Sequence, residues 1–482
     1  MKPFIFLCLS LCGSLTYAQH LSYNRFSVYT DTTLNSFQPH QAINFGESNG
    51  KRGLSAFPIL NSENALSIKT DNFFREEIGA AVFYSRPKLD VRLSYVYGLF
   101  QPATFELAYA TNYHVLPQYG KLQTLNSGPW YQTQQILGDI HYTPWEFISV
   151  SLSNNRIFLG NGYRSNMIGD VQSPYPFMKI DTKFGKNFRY LNLFSMYFDQ
   201  NPYNPPQFSN RKFSASHYLS LSLGKRLNLG LFESVIWGSR DTFNNRGFDI
   251  NYLNPFVFYR PVEYSIGSSD NSILGMDARL NLTKSAYLYG QFVIDEFLLS
   301  EIKARNGWWA NKYAMQAGAF ASVRIKQSTL FIRAEYNMIR PYTFTHARSE
   351  ESYTHFNQPM AHPLGANFKE TIGILAYRTG RFLLETKGVY YVQGVDLNAT
   401  NFGSNILKSY ITREEEYGNF IGQGRRKQVA QIDVLLMYEV VKSKPYYVSF
   451  SSTYRKDNIL GDNLYLGLGF NTLLWNRYND YF

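Results

Sequence analysis

Leu330-Phe331-Ile332-Arg333-Ala334-Glu335-Tyr336-Asn337-Met338 is the stretch whose reading decides the fold. Leu330, Ile332, Ala334, Tyr336 and Met338 take one face of an extended chain, while Phe331, Arg333, Glu335 and Asn337 take the other. Side chains of a strand alternate between faces, so a period of two reads as β-structure. The same pattern recurs. Ser272 to Leu282 sets Leu274, Met276, Ala278, Leu280 and Leu282 against Gly275, Asp277, Arg279 and Asn281. Val429 to Val440 sets Ile432, Val434, Leu436 and Tyr438 against Gln431, Asp433 and Glu439. Strands of soluble sheets are mostly about 5–6 residues long, whereas a tilted strand crossing a bilayer needs about 9–11. These runs have the longer length.

Working outward, about eighteen such segments are expected, an even number as in bacterial single-chain barrels. The first fall at 77–86, 89–98 and 103–111, the last at 428–440, 446–455 and 462–473, and the weakest is 177–184. Connections after even-numbered segments are short, as at Lys225-Arg226, Gln327 and Thr379-Gly380. Those after odd-numbered segments include every long one: 112–129, 155–176, 239–271, 340–368 and 393–427. Short periplasmic turns alternating with long extracellular loops are the mark of an outer-membrane barrel. The expected fold is therefore all-β, a transmembrane antiparallel up-and-down barrel of about eighteen strands, ending on the aromatic Phe482.

Composition agrees. The 482 residues are 17% aromatic, with 38 Tyr and 38 Phe, and 17% charged, below the soluble average of about 25%. The aromatics exclude disorder, and no uncharged apolar window of about 18 residues offers a spanning helix. At the start, Lys2, the apolar run Phe4 to Leu15 and Thr16-Tyr17-Ala18 read as a signal peptide over 1–18. A lipoprotein would use Cys12, but Leu11 before it is bulky where a small residue is wanted. The two cysteines, Cys8 and Cys12, lie in this segment, so the chain from Gln19 has no thiol for a disulfide or thiolate metal site. Residues 19–76 lack sustained alternation and are expected to form a periplasmic segment able to plug the barrel, which then spans 77–482.

The sequence has no G-x-S-x-G, H-E-x-x-H, Walker A or complete G-x-G-x-x-G, so no enzyme class is indicated and no cofactor is called for. Gly160-Asn161-Gly162 and Gly422-Gln423-Gly424 read as loop turns. The net charge of +11 comes from dispersed cations, which argues against nucleic acid and for lipopolysaccharide or an acidic surface glycan as counter-charge. Arg92, Asp277, Arg279, Asp295, Arg324, Arg333, Glu335, Glu385, Lys387, Asp433 and Glu439 fall on the luminal face, a mixture of signs that reads as a salt-bridged interior rather than a selective pore.

His346, His355 and His362 share one loop, but spacings of nine and seven match no metal-ligand motif, and hydrogen-bonding histidines are the expectation. Trp308-Trp309 belong either to the interfacial aromatic girdle or to a platform on which sugar rings stack. By loop parity Trp308, Trp309, His355, Asn357, Gln358, Arg260 and Glu263 all lie on the extracellular side. Rings, amides and a flexible cation are what a shallow glycan site needs, and these seven are the expected carbohydrate-binding residues.

Several loop strings carry a resemblance. Gly160-Asn161-Gly162-Tyr163-Arg164-Ser165, Ser173-Pro174-Tyr175-Pro176-Phe177-Met178-Lys179 and the run Leu253 to Tyr264 resemble the capsule assembly protein Wzi family. So does Gln291-Phe292-Val293-Ile294-Asp295-Glu296-Phe297, while Tyr353 to Asn367 is similar to the version in Bacteroidetes relatives, among them the gliding-motility protein RemB. The similarity runs from about residue 76 onward. It implies an eighteen-stranded outer-membrane barrel with a periplasmic plug, acting as a lectin that holds capsular polysaccharide on the cell. The N-terminal segment departs from the family in lacking a clear amphipathic helical bundle.

The leading expectation is thus a non-enzymatic barrel whose partners are surface polysaccharide, outer-membrane lipid and lipopolysaccharide. A component of a gliding-motility or type IX secretion apparatus, docking other envelope proteins, is the alternative. A porin, and a lipid hydrolase built on His141 or His217, are the lesser ones.

Overall fold

The computed structural model describes residues 53–472, apart from 70–71, 114, 126–128, 201–209, 241–245, 256–269, 398 and 442–445. The signal peptide, residues 19–52 and Phe482 lie outside the described residues.

Eighteen long antiparallel strands close into one barrel. They are β1 Gly53–Ser67, β2 Phe73–Arg86, β3 Leu89–Gln101, β4 Tyr131–Trp145, β5 Ile148–Asn155, β6 Tyr175–Phe184, β7 Phe188–Asp199, β8 Asn210–Leu223 and β9 Leu227–Gly238. The second half is β10 Asn271–Asn281, β11 Ala286–Glu296, β12 Lys312–Ile325, β13 Ser328–Ile339, β14 Phe368–Thr379, β15 Phe382–Val395, β16 Arg425–Glu439, β17 Tyr447–Asp457 and β18 Gly461–Asn471. Each strand pairs with its sequence neighbours, and β1 closes the ring on β18 from Ser62↔Phe470 to Ser67↔Tyr465. Closure removes the open edges that a bilayer cannot satisfy.

The alternation has its physical meaning on β13. Phe331, Arg333, Glu335 and Asn337 are buried in the barrel, and Ile332 and Tyr336 face out. Outward apolar side chains, among them Leu93, Met276, Leu375, Phe450 and Leu468, give the wall its lipid-facing band. No described helix is long and apolar enough to cross a membrane; the strands do the crossing. Connections at one end are tight turns such as 326–327 and 380–381, and those at the other include 156–174, 340–367 and 396–424. The long-loop end is therefore extracellular.

Two expectations are corrected. Residues 103–111 are not a strand: Thr104–Tyr113 is the helix α1. Its start is closed by half a capping box, because Glu106 Oε2 accepts the Ala103 N–H at 3.2 Å. The alternation there was an accident of a Phe-Glu-Leu-Ala run that suits a helix as well. Conversely, the barrel begins at Gly53 rather than 77, and the segment before it is correspondingly shorter. Asn61 to Asn64 hides this strand by being polar on both faces. Outward Ser62 and Asn64 both donate to Glu76 Oε1, at 2.9 and 2.8 Å, and luminal Asn61 donates to Glu77 Oε2 at 2.8 Å. One strand gained and one lost leave the count at eighteen and the parity of every later loop unchanged.

Candidate functional site

Two extracellular loops turn back into the barrel and fill its middle. Residues 156–174 carry Ile157, Leu159, Met167 and Ile168, which pack with Phe344, Tyr353 and Met360 of 340–367 against luminal Tyr175, Tyr197 and Val293. The descent brings backbone polar groups into a place without bulk water, so each needs a partner. Wall carboxylates and amides supply them. Glu335 accepts the N–H groups of Tyr163 and Arg164 at 2.6 and 3.0 Å, and also the Tyr289 hydroxyl at 2.7 Å. Gln291 accepts from Asn166 N at 2.8 Å, and Asp277 from the Asn161 amide at 2.7 Å. The Gly160-Asn161-Gly162 string is a close-approach device: Gly160 has φ 125°, and a Cβ there would run into the Gln291 amide. Of the luminal charges foreseen, Asp277, Asp295, Arg333, Glu335 and Lys387 are buried as expected, while Arg324 is exposed beside a turn.

Above this filling, α1, the loop 340–367 and the loop 396–424 leave a cleft of about 520 Å³ open to the outside. Its polar lining comes from Asn112, Asn357, Gln393, Ser404, Asn405, Lys408 and Lys427, its rings from Phe105, Tyr113 and Tyr391. Asn405 Nδ2 donates to the Tyr113 hydroxyl at 3.0 Å, and Lys408 Nζ stands 3.6 Å from Asp396. Burial raises the Asp396 carboxyl above its usual range, with the Phe402 N–H and Lys408 opposing. Amides, hydroxylated rings and ammonium groups around an open cleft can exchange water for sugar hydroxyls.

The expected carbohydrate residues do not form one site. His355 and Gln358 are the closing pair of a tight hairpin with Phe356 and Asn357 at its tip, both at positive φ (45° and 57°). Asparagine tolerates that conformation, which explains the string at Asn357. His355 is fully buried: Nδ1 accepts the Phe198 N–H at 3.1 Å, and Nε2 lies 3.3 Å from the Pro174 carbonyl. Burial pushes its imidazole down to about 3. Gln358 Nε2 donates to Ser173 Oγ at 2.6 Å, joining the two inward loops. Of the described ones among these residues, Asn357 alone lines the cleft. Trp309 is buried in a separate cluster, 4.7 Å from the Tyr410 ring and with the Arg413 guanidinium 4.3 Å over it; Trp308 is half-buried beside it. The pair is thus a loop core, not a girdle or an open platform. Arg260 and Glu263 lie outside the described residues. Asn112, Tyr113, Asn405 and Lys408 were not foreseen, because residues on a helix and on a loop almost three hundred positions later share no sequence pattern.

The three histidines part company as well. His346 Nδ1 stands 2.5 Å from Glu351 and His362 Nε2 2.7 Å from Glu370, each paired on its own. Among the described residues no group of His, Cys, Asp and Glu is arranged to hold a metal. His141 does meet a serine, with Nδ1 2.9 Å from Ser151 Oγ, while Thr143 Oγ1 sits 3.2 Å from Nε2. Ser151 is paired on both sides, with His141 and with Lys179, which commits the backbone that an oxyanion hole would need. His217 faces the Asn254 carbonyl at 3.1 Å instead.

A closed barrel of eighteen strands, apolar outside and loop-filled within, defines the class: this is an outer-membrane β-barrel protein. Among solved structures it is similar to Wzi of Escherichia coli, an outer-membrane protein involved in group 1 capsule assembly and a carbohydrate-binding β-barrel. That likeness has a TM-score of 0.55 and 14% identity, covering 86% of this chain and 84% of the other. OprD of Pseudomonas aeruginosa (TM-score 0.43, 8% identity, 86% and 94% covered) and a BenF-like porin of Pseudomonas fluorescens (0.45, 8%, 86% and 97%) share the barrel more loosely. Neither a family model nor a curated protein matches the sequence.

Proposed function

We propose that this protein is a lectin-like barrel of the Wzi type that binds a polysaccharide at the cell surface and takes part in holding it there. The observation that carries the reading is the amide- and tyrosine-lined cleft at the extracellular end, above a lumen that the two inward loops fill. A wide diffusion pore would need that space empty; a binding protein needs it rigid. Burial of whole loops whose backbone N–H groups are held by wall carboxylates is what holds a shallow sugar site in shape. The reading is non-enzymatic, with surface polysaccharide and the surrounding lipopolysaccharide as partners.

The test is a deletion strain complemented with the wild-type chain or with Asn405→Ala/Lys408→Ala. Surface glycan retention should fall in the deletion and in the variant, while spreading motility and barrel level in the variant stay those of wild type. Loss of spreading with normal glycan retention would favour a docking role in a motility or secretion apparatus instead.

A further inference from the structure

Below the cleft lies a second space that the glycan reading does not use. It is a cavity of about 90 Å³ between α1 and the wall from β16 through β18 to β1. The wall here is low in bulk: Ser449, Ser451 and Thr453 follow one another on the luminal face of β17, beside Gly469 of β18 and Ala65 of β1. A Cβ at Gly469 would come within 2.6 Å of Ser449 Oγ and 2.9 Å of the Ser62 carbonyl oxygen, so the missing side chain leaves the wall thin there. Ser449 and Asn471 bring the cavity to the periplasmic end of β17 and β18.

One side chain borders both spaces. Phe105, on the first turn of α1, lines the outer cleft and the inner cavity alike. Its ring meets Tyr465 of β18 edge-on at 5.9 Å and lies 4.8 Å beneath the Arg455 guanidinium of β17. The next residue, Glu106, stands 3.5 Å from Arg75 of β2, which tethers the helix to the wall. The two inward loops fill the middle of the barrel, whereas this sector beside the wall is covered by a ten-residue helix.

We propose that this sector is a gated permeation route for small polar solutes, with α1 as the gate leaf and Phe105 as its seal. Swinging the first turn of α1 off Tyr465 and Arg455 joins the cleft to the cavity. The cavity sets the Ser449, Ser451 and Thr453 hydroxyls and the Glu63 and Glu106 carboxylates among apolar side chains such as Phe73, Leu435 and Met437, a mixed lining that admits small polar solutes without selecting one sign of charge. Phe105, Glu106 and their partners move in that swing, while the far end of α1 stays held by the inward loop 340–367, where Asn357 Nδ2 donates to the Tyr113 carbonyl at 3.2 Å.

The test uses the thiol-free chain from residue 19 onward, with the single substitution Ser451→Cys as a reporter inside the cavity. Intact cells are treated with a small charged methanethiosulfonate that does not cross membranes. The reporter should react slowly in the parent and roughly tenfold faster with Phe105→Ala, which removes one aromatic and one cation–π contact from the closed state. Glu106→Gln, which keeps the shape and weakens the tether, should act in the same direction if the alanine variant fails to assemble. Equal rates in parent and gate variants, whether fast or slow, overturn the gate. In planar bilayers the faster-labelling variant should also conduct more than the parent. Faster labelling with unchanged conductance makes α1 a flap over a blind cavity and overturns the route.

Discussion

Arg164, on a loop that enters from outside, reaches Glu370 on the barrel wall at 3.2 Å, and both side chains are 1% exposed. His362 Nε2 approaches the other oxygen of the same carboxylate at 2.7 Å. One acid on β14 therefore holds both inward loops, and the Glu335 carboxylate next to it takes two backbone N–H groups of the first loop. Removing one member of a buried, hydrogen-bonded pair strands the other charge. Arg164→Ala should therefore cost about 3–5 kcal/mol of loop anchoring. The check is limited proteolysis of the purified barrel: cleavage within 156–174 should appear while the heat-modifiable barrel itself persists.

The Trp308 and Trp309 rings test the corrected site assignment. Trp309 is packed under Arg413 and against Tyr342 and Tyr410, so Trp309→Ala should behave as a core truncation costing about 3–5 kcal/mol. Its signature is loosening of 396–424 in hydrogen exchange. Selective loss of glycan with unchanged exchange would return the ring to a sugar platform.

Within the cleft, Tyr113→Ala should weaken polysaccharide binding by about 1–2 kcal/mol, roughly five- to thirty-fold in Kd. The measurement is titration of purified barrel with polysaccharide from the same cells, alongside Tyr142→Ala on the lipid face, which should change nothing.

Acid should loosen the loops. Burial lowers His355 to about 3 from an ordinary value of 6.5 and depresses His362 as well, with Glu370 opposing. A base whose folded value is depressed lends full stability above its unfolded value, which is lost as pH falls from 6.5 toward 3. His355 contributes up to about 1.4 kcal/mol per pH unit in that window, and His362 acts in the same direction. Proteolytic opening of 340–367 should rise between pH 6 and 4, and His355→Asn should reduce the number of linked protons by one.

Surface labelling checks the orientation. Glu415 and Tyr417 are exposed and Gly418 has open space around it, so an epitope inserted after Glu415 should be labelled on intact cells. An insertion at Gly403 should instead disturb the loop, because that glycine sits at φ 78° against the Tyr342 backbone.

How far the sequence reached is clear from particular elements. Phe331-Ile332-Arg333-Ala334-Glu335 already determined which side chains face lipid and which face the lumen, because a strand in a bilayer has one apolar and one polar side and the period of two records it. Seventeen of the eighteen strands and the sidedness of the loops from β4 onward follow from repeating that reading. It failed where local chemistry broke the correspondence: polar Ser62 and Asn64 face outward because Glu76 across the strand pair satisfies them, and Thr104–Tyr113 buries one face as a helix.

The site was legible in composition and not in membership. That the extracellular loops carry amides and rings was plain from Tyr353 to Asn367, yet only the tertiary structure decided that His355 and Gln358 are interior fasteners. The tertiary structure also brought Asn112, Asn357, Asn405 and Lys408 to one cleft. The reason is physical. Strand periodicity is local and survives in the order of residues, whereas a loop's burial depends on which distant carboxylate is waiting for its N–H groups, and Glu335 and Tyr163 stand 172 residues apart.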